Sequence, residues 1–217
     1  AVRATPPTAQ TCAQAATAAP QTPTDLEAVV SKLNVKLGGR IKFDAIYDTA
    51  EFSKYNDFIG AVKAGDADNA STNFNPRDTR IDLSASRDEG EWLTEGRIET
   101  DFYGDNNGNN LLPRLRLGYV KLTHKESNTS VLAGQDWIPV ATLNPSTIDF
   151  GVMSAAGNLW WRVPQITVRH KLNDNWEILG SAMRHRRVET NEQVRVPWLL
   201  ERIAYTNGGL MMALGGG

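Results

Sequence analysis

The chain has 217 residues, of which 41% are hydrophobic and 22% charged, and its formal charge at pH 7 is -2. This balance offers no basic surface for neutralising phosphates, so the composition excludes the nucleic-acid-binding class. A spanning helix needs about 20 apolar residues, but the longest weakly charged stretch, Ala141 to Trp161, is interrupted by Asn144, Pro145 and Asp149. Helical membrane proteins are therefore excluded, whereas a membrane β-barrel is compatible because its strands are half polar.

Residues 1–33 are predicted to form a flexible N-terminal segment. They are rich in Ala, Thr, Gln and Pro, a composition typical of chains without a packed core. The start carries no charged region followed by an apolar one, as expected for a mature end whose signal is absent. Asp25 to Leu33 is predicted to form a short helix with Thr24 as its N-cap. The single cysteine, Cys12, excludes a disulfide framework.

From Asn34 the hydrophobic pattern changes to a period of two, which indicates strands with one apolar and one polar face. We therefore predict that residues 34–217 form one β-domain. The first strand, Val35 to Asp48, places uncharged residues on one face, namely Val35, Leu37, Gly39, Ile41, Phe43, Ala45 and Tyr47. Its other face carries the charged residues Lys36, Arg40, Lys42, Asp44 and Asp48.

The third strand, Trp92 to Phe102, distinguishes a membrane barrel from a soluble sheet. Its length exceeds the about 5 or 6 residues of an ordinary strand, and charged residues alternate with uncharged ones along it. The two terminal aromatic residues are separated by about 33 Å of strand, which a tilt of about 40° reduces to about 25 Å of height. This height is typical of the distance between the two aromatic girdles of a membrane barrel.

The remaining strands are predicted from weaker alternation. The second spans Thr79 to Arg87, and the fourth begins at Arg114, places Leu115, Leu117 and Tyr119 on the apolar face, and contains a suspected bulge at Val120. Five later strands are predicted at Ser130 to Trp137, Trp160 to His170, Trp176 to His185, about Val194 to Thr206, and from Leu210 to Leu214. In the fourth of these, Glu201 and Arg202 are adjacent, so one charge must face the apolar side or lie at an interface.

Long and short connections alternate along the predicted strands, as they do in outer-membrane barrels. The long or medium connections are Thr49 to Arg77, Gly104 to Leu111, Ile138 to Leu159 and Arg186 to Gln193, and the short ones are Asp88 to Gly90, Lys125 to Asn128, Lys171 to Asn175 and Asn207 to Gly209. The fold class is thus predicted as a transmembrane antiparallel β-barrel. Because the chain ends in LMMALGGG without a terminal aromatic residue, we expect it to hold about 8 or 9 strands of a barrel of about 16.

Four short motifs occur in an order that resembles the DcaP-like outer-membrane porins. They are the opening strand VKLGGRIKFDAIYD, the segment Gly134 to Trp137, the segment Asp149 to Gly151, and the run Arg162 to Ile166. The resemblance implies a homotrimer of barrels in the bacterial outer membrane, in contact with its lipid, through which small anionic solutes such as dicarboxylates diffuse passively. It also implies that the connection Ile138 to Leu159 folds into the lumen and narrows it.

A diffusion channel needs charges that set a field in its lumen rather than a catalytic group. The candidate pore-lining and solute-binding residues are Arg40, Lys42, Arg80, Arg97, Arg114 and Arg116, with Asp149 facing them from the inserted connection. In a second interpretation Arg80, Arg114 and Arg116 only pair with Glu95, Glu99 and Asp101 on the strand between them. The two interpretations are compatible, because a paired wall can leave one arginine for solute.

Two other functions are considered. The apolar stripe from Val35 to Tyr47 is also typical of the core of a soluble β-sandwich binding module. An outer-membrane hydrolase is disfavoured because the histidines have neither a nucleophile elbow nor metal-ligand spacing near them. The three histidines are His124, His170 and His185. We expect no catalytic residue, metal or cofactor, and we expect Trp160 and Trp161 to lie in an interfacial belt rather than to stack on solute.

Overall fold

The computed structural model of the protein describes residues 32–50, 70–104, 111–141, 144, 147, 157–185 and 196–217. The chain divides into two units between Lys32 and Leu33, and every described strand belongs to the second. No helix in the described ranges has the length and apolar character needed to cross a membrane. The predicted helix from Asp25 and the predicted pore residue Asp149 lie outside the described residues, apart from Lys32 and Leu33 at the helix end.

Strands dominate the described part of the chain. They are β1 (Asn34–Arg40), β2 (Asp44–Asp48), β3 (Ser71–Asn75), β4 (Arg80–Glu89), β5 (Trp92–Asp101), β6 (Arg114–His124), β7 (Thr129–Trp137), β8 (Arg162–Lys171), β9 (Trp176–Met183), β10 (Trp198–Asn207) and β11 (Leu210–Gly216). Nine of them form one sheet in the order β1-β4-β5-β6-β7-β8-β9-β10-β11, and β2 pairs with β3 in a second sheet. All neighbours in these ladders are antiparallel, so the predicted all-β antiparallel fold is confirmed.

The four predicted short connections are confirmed as tight turns at one end of the sheet, called here the short-turn end. They lie between β4 and β5, β6 and β7, β8 and β9, and β10 and β11. Three contain a residue with positive φ, namely Gly90 at 65°, Asn128 at 51° and Gly208 at 55°. Glycine and asparagine tolerate this conformation better than other residues, which explains why such residues mark the turns in the sequence.

The first predicted strand is not continuous, and this corrects the prediction for Val35 to Asp48. β1 ends at Arg40 and β2 begins at Asp44, because the hydroxyl of Thr79 takes over the pairing at Lys42. Thr79 Oγ1 accepts a hydrogen bond from the Lys42 N–H at 3.1 Å and donates one to the Lys42 carbonyl at 3.1 Å. Opposite this break, β3 occupies the end of the segment predicted as the connection Thr49 to Arg77.

The bulge in β6 lies at Arg116 and not at Val120, where it was predicted. Glu99 pairs with Leu117 and Thr100 with Leu115, so Arg116 is the extra residue, whereas Val120 pairs regularly on both sides. A bulge places two consecutive side chains on the same face. Leu117 is consequently turned away from the apolar face and is only 2% exposed, and Tyr119, which lies opposite Arg97, faces the same way. The predicted facing of Leu117 and Tyr119 is therefore wrong.

The two faces of the nine-stranded sheet differ in a way opposite to that of a soluble protein. On one face, called here the apolar face, large hydrophobic residues are exposed, among them Leu37, Leu83, Ile98, Ile166 and Ile203. On the other, called the polar face, charged and polar residues are buried, including Glu99, Asp101, Arg116, Gln165, Thr167 and Arg202. Soluble domains bury apolar side chains and keep charged ones outside unless they are paired.

A small apolar cluster lies at the other end of the polar face. Val163, Met183 and Leu200 come from β8, β9 and β10, and Ile138, the first residue after β7, packs against them. The guanidinium of Arg202 donates a hydrogen bond of 2.7 Å to the carbonyl of Pro139. The beginning of the connection Ile138 to Leu159 is therefore anchored on the polar face, the face into which the resemblance implied that it folds.

Candidate functional site

The described charged residues from β1 to β6 form two neighbouring ion-paired groups on the polar face, called here together the ionic cluster. It contains the six predicted cations, Arg40, Lys42, Arg80, Arg97, Arg114 and Arg116, and five carboxylates, Asp44, Asp78, Asp82, Glu99 and Asp101. Alternation places most of these residues on one side of neighbouring strands, and Lys42 and Asp78 join them from the connections beside the strands.

Asp101 is the most buried carboxylate of the ionic cluster, with none of its surface exposed. Arg114 holds it with two hydrogen bonds, Nε to Oδ1 at 2.9 Å and Nη2 to Oδ2 at 2.6 Å. Arg116 donates a third from Nη1 to Oδ2 at 2.9 Å and also pairs with Glu99. The bulge positions Arg116 for this double contact, because it places the residue between the partners of Glu99 and Thr100.

Arg97 forms a second centre, between two carboxylates on adjacent strands. Its Nε lies 2.7 Å from Oδ2 of Asp82, and its Nη2 lies 3.1 Å from Oε2 of Glu99. The side chain of Arg97 is 37% exposed, against 19% for Asp82 and 11% for Glu99. The carboxylates therefore lie deeper than the guanidinium that neutralises them.

The third centre is Asp78, which the sequence analysis did not select. This carboxylate pairs with Arg40, with Lys42 at 3.5 Å and with Arg80 at 2.9 Å. The turn formed by the Thr79 N–H and the Pro76 carbonyl, 3.0 Å apart, presents Asp78 at the break in the strands. The motif Asn-Pro-Arg-Asp is a turn signal, so the sequence offered a clue to this position although no alternation marks it.

The predicted pairing with the carboxylates of β5 is found for Arg114 and Arg116 but not for Arg80. Arg114 and Arg116 do pair with Asp101 and Glu99. Arg80 instead pairs with Asp78, and Glu95 pairs with Lys121 at 2.8 Å. The wall is thus extensively paired, as the second interpretation predicted, with the predicted carboxylates for Arg114 and Arg116 but with a different partner for Arg80.

The six cations differ in how far their side chains are exposed. The side chains of Arg40 and Arg114 are 45% and 34% exposed, whereas that of Arg116 is only 2% exposed. Arg40, Arg80 and Arg97 line a recess of about 310 Å³ together with Asp82, Glu99 and two glycines of β1. An anion entering this recess can contact guanidinium groups, while Arg116 can act on it only by holding Glu99 and Asp101 in place.

Aromatic rings mark the short-turn end of the sheet. The ring centroids of Trp92 and His124 are 4.7 Å apart, and those of Trp176 and Tyr205 are 5.0 Å apart. Amphipathic rings at a common height are typical of the interface between a membrane and water.

Trp161, one of the two predicted belt tryptophans, lies near the other end of the sheet. It is partly buried and packs against the cluster around Ile138.

Comparison with known proteins provides one informative match. No family model and no curated protein sequence matches the chain. Among solved structures, it is similar to the outer membrane channel DcaP of Acinetobacter baumannii, with a TM-score of 0.64 and 24% identity, over 81% of this chain and 49% of that chain. The fold is that of an outer-membrane channel.

The similarity to DcaP confirms the fold that the sequence resemblance implied, and the chain spans about half the length of the matched structure. It also shows that the β-sandwich alternative is wrong. A sandwich would cover Val35, Ile41 and Tyr47 with a second sheet, but these residues are 53%, 94% and 68% exposed.

Proposed function

We propose that the protein is a porin of the bacterial outer membrane, through which small polar solutes, chiefly anions such as dicarboxylates, diffuse passively. The observation that carries the proposal is the inversion of the two faces: Ile98 is 52% exposed while the neighbouring Glu99 is 8% exposed. An exposed apolar face is favourable against lipid, and buried paired charges are favourable beside an enclosed, water-filled path. The DcaP-like fold supports the same assignment.

The anion preference is supported by the depth at which the charges lie. Six cations of the ionic cluster meet five carboxylates, and Asp78 and Asp101 are 3% and 0% exposed at their side chains. Arg40, Arg97 and Arg114 lie above them and are more exposed. A solute therefore meets guanidinium groups first, and a guanidinium can bind a carboxylate with two parallel hydrogen bonds.

In this proposal the protein needs no bond-making chemistry, no cofactor and no metal in the pathway. The field of the exposed guanidiniums raises the local concentration of anions, and the buried carboxylates keep those guanidiniums fixed so that no wall rearrangement accompanies passage. The homotrimer and the narrowing by the connection after β7 are further parts of the proposal. They are supported by the resemblance and, for the connection, by the anchoring of Ile138 and Pro139.

Ion conductance of the full-length protein in a planar bilayer tests the proposal. We expect stepwise conductance and, under a salt gradient, a reversal potential of the sign given by anion preference. Two unit charges about 7 Å apart in water interact by about 0.6 kcal/mol, which is close to RT, so removing one charge changes the local concentration of a monovalent ion about threefold. Because the change disfavours anions and favours cations, Arg97→Gln should lower the anion-to-cation permeability ratio by about threefold to sevenfold.

The matched control is Lys125→Gln, which removes a charge at the short-turn end, where Lys125 pairs with Asp88 at 2.6 Å. This variant should retain the selectivity of the unmodified protein. An unmodified protein that prefers cations would remove the role of the arginines and leave the barrel standing. A correctly inserted protein without conductance would contradict the channel itself.

A further inference from the structure

A histidine and two glutamates meet at the short-turn end of the sheet. Glu91 belongs to the turn between β4 and β5, His124 ends β6, and Glu126 lies in the turn between β6 and β7. Each offers one ligand atom, and these atoms all lie within 4.8 Å of one another. His124 Nε2 is 3.7 Å from Glu91 Oε2. Among the described residues, no other group of three or more His, Cys, Asp or Glu side chains meets in this way.

The backbone holds the two turns together independently of these side chains. The N–H of Lys125 donates a hydrogen bond of 2.8 Å to the carbonyl of Glu91, so the residue before Glu126 is fixed to Glu91 itself. Lys125 Nζ lies 2.6 Å from both carboxylate oxygens of Asp88. The ammonium group of Lys125 is thus directed towards Asp88.

The imidazole of His124 is oriented from two sides. Its ring packs against Trp92, and its Nδ1 lies 2.9 Å from the hydroxyl of Ser127. A partner on one ring nitrogen that directs the other nitrogen towards a metal is the usual arrangement around histidine ligands. Here Nε2 is the nitrogen that faces the carboxylate of Glu91.

We propose that Glu91, His124 and Glu126 bind a divalent transition-metal ion, with Zn²⁺ as the best-fitting example, and that the ion joins the two turns. One imidazole and two carboxylates suit Zn²⁺ better than Ca²⁺ or Mg²⁺, which prefer oxygen alone. Two tetrahedral ligands about 2.1 Å from Zn²⁺ are about 3.4 Å apart. The 3.7 Å between Nε2 and Oε2 is close to this separation, and the exposed Glu126 can approach by a change of rotamer.

Binding requires a shift of the imidazole proton. In the neutral ring without metal, Nδ1 accepts the N–H of Ser127 at 3.3 Å, so the proton is on Nε2. When Nε2 donates its lone pair to the metal, that proton must be on Nδ1, where it is donated to the Ser127 hydroxyl at 2.9 Å, and the hydrogen bond from the Ser127 N–H is given up. The proton is exchanged through solvent, and no net proton is released from the neutral ring. A water molecule supplies the fourth ligand.

The test is an isothermal calorimetric titration of the purified full-length protein, in detergent, with Zn²⁺. Cys12→Ser is introduced in every sample to remove the thiol as a competing ligand. We expect a saturable site whose affinity falls about tenfold or more in His124→Gln, because loss of an outer-shell partner alone costs a metal site about this much. Glu91→Gln and Glu126→Gln should each weaken it as well.

His170→Gln is the matched control. His170 lies near the same end of the sheet and its Nδ1 contacts a hydroxyl, Thr129 Oγ1 at 2.9 Å, but it is not part of the cluster. This variant should bind Zn²⁺ as the parent does, and Zn²⁺ should raise the melting temperature of the parent and of His170→Gln but not of His124→Gln. Equal binding by the two histidine variants, or no saturable site in the parent, would overturn the proposal whatever the conductance of the protein.

Discussion

Replacing Asp101 by asparagine should be among the most destabilising single changes in the ionic cluster. The carboxylate is fully buried and accepts hydrogen bonds from Arg114 Nε and Nη2, from Arg116 Nη1 and from the backbone N–H of Tyr103. An asparagine side chain keeps one oxygen and turns an N–H₂ group towards a guanidinium. Arg116, itself 2% exposed, would then retain only Glu99 as a described carboxylate partner.

The expected loss follows from this burial. Removing one partner of a buried ion pair costs about 3 to 5 kcal/mol, because the remaining charge is left without compensation. Glu95→Gln is the matched comparison, since Glu95 pairs with Lys121 at 2.8 Å but both side chains are about one-third exposed. Exposed pairs contribute only about 0 to 1 kcal/mol, so this second variant should be nearly neutral.

Denaturant unfolding of both variants in lipid vesicles, followed by tryptophan fluorescence, measures the difference. Arg116→Met combined with Asp101→Asn should recover part of the loss, because the double change also removes the buried guanidinium that lost one of its two described carboxylate partners. If Asp101→Asn and Glu95→Gln lower the free energy of unfolding by amounts within about 1 kcal/mol of each other, the ionic cluster is not the buried network described here.

Two further changes test the backbone and the apolar face. Gly134→Ala should impair folding, because φ is 136° there and an added Cβ would lie 2.6 Å from the Cα of Tyr119. Gly180→Ala, where an added Cβ would meet no heavy atom within 4 Å, should be tolerated. The folded fraction of each variant on a heat-modifiability gel is the measurement. Ile98→Lys should lower the free energy of folding into a bilayer by about 2 to 4 kcal/mol. Ser86→Lys, which lies opposite Glu95 on the polar face, should not. Equal refolding yields of the two variants in lipid vesicles would contradict the assignment of the faces.

Alternation of side chains predicted most of the fold, because a strand of ten residues carries its facing in its own sequence. β5 was predicted at Trp92 to Phe102 and is found at Trp92 to Asp101. The short turns were predicted because positive φ selects a few residue types. What alternation cannot show is where one residue is inserted, so Leu117 was placed on the wrong face and the break after Arg40 was missed.

The candidate site was also predicted only in part from the sequence. All six cations were predicted on one face and all six belong to the ionic cluster. Their partners were predicted less well, because pairing depends on the register between strands and on turn residues such as Asp78. Accessibility could not be predicted at all, since Arg114 and Arg116 differ by two positions yet are 34% and 2% exposed at their side chains.

The bulge at Arg116 connects these two results. A regular strand would place Leu117 on the apolar face and leave one cation of β6 opposite each carboxylate of β5. The extra residue instead gives Asp101 two arginines, of which Arg116 is buried and Arg114 is partly exposed. Because Arg116 also binds the carboxylate of Asp101, that carboxylate neutralises the charge of Arg114 less completely. A wall with such an insertion is internally compensated at depth and presents guanidinium groups at its surface, which is the arrangement on which the proposed anion preference rests.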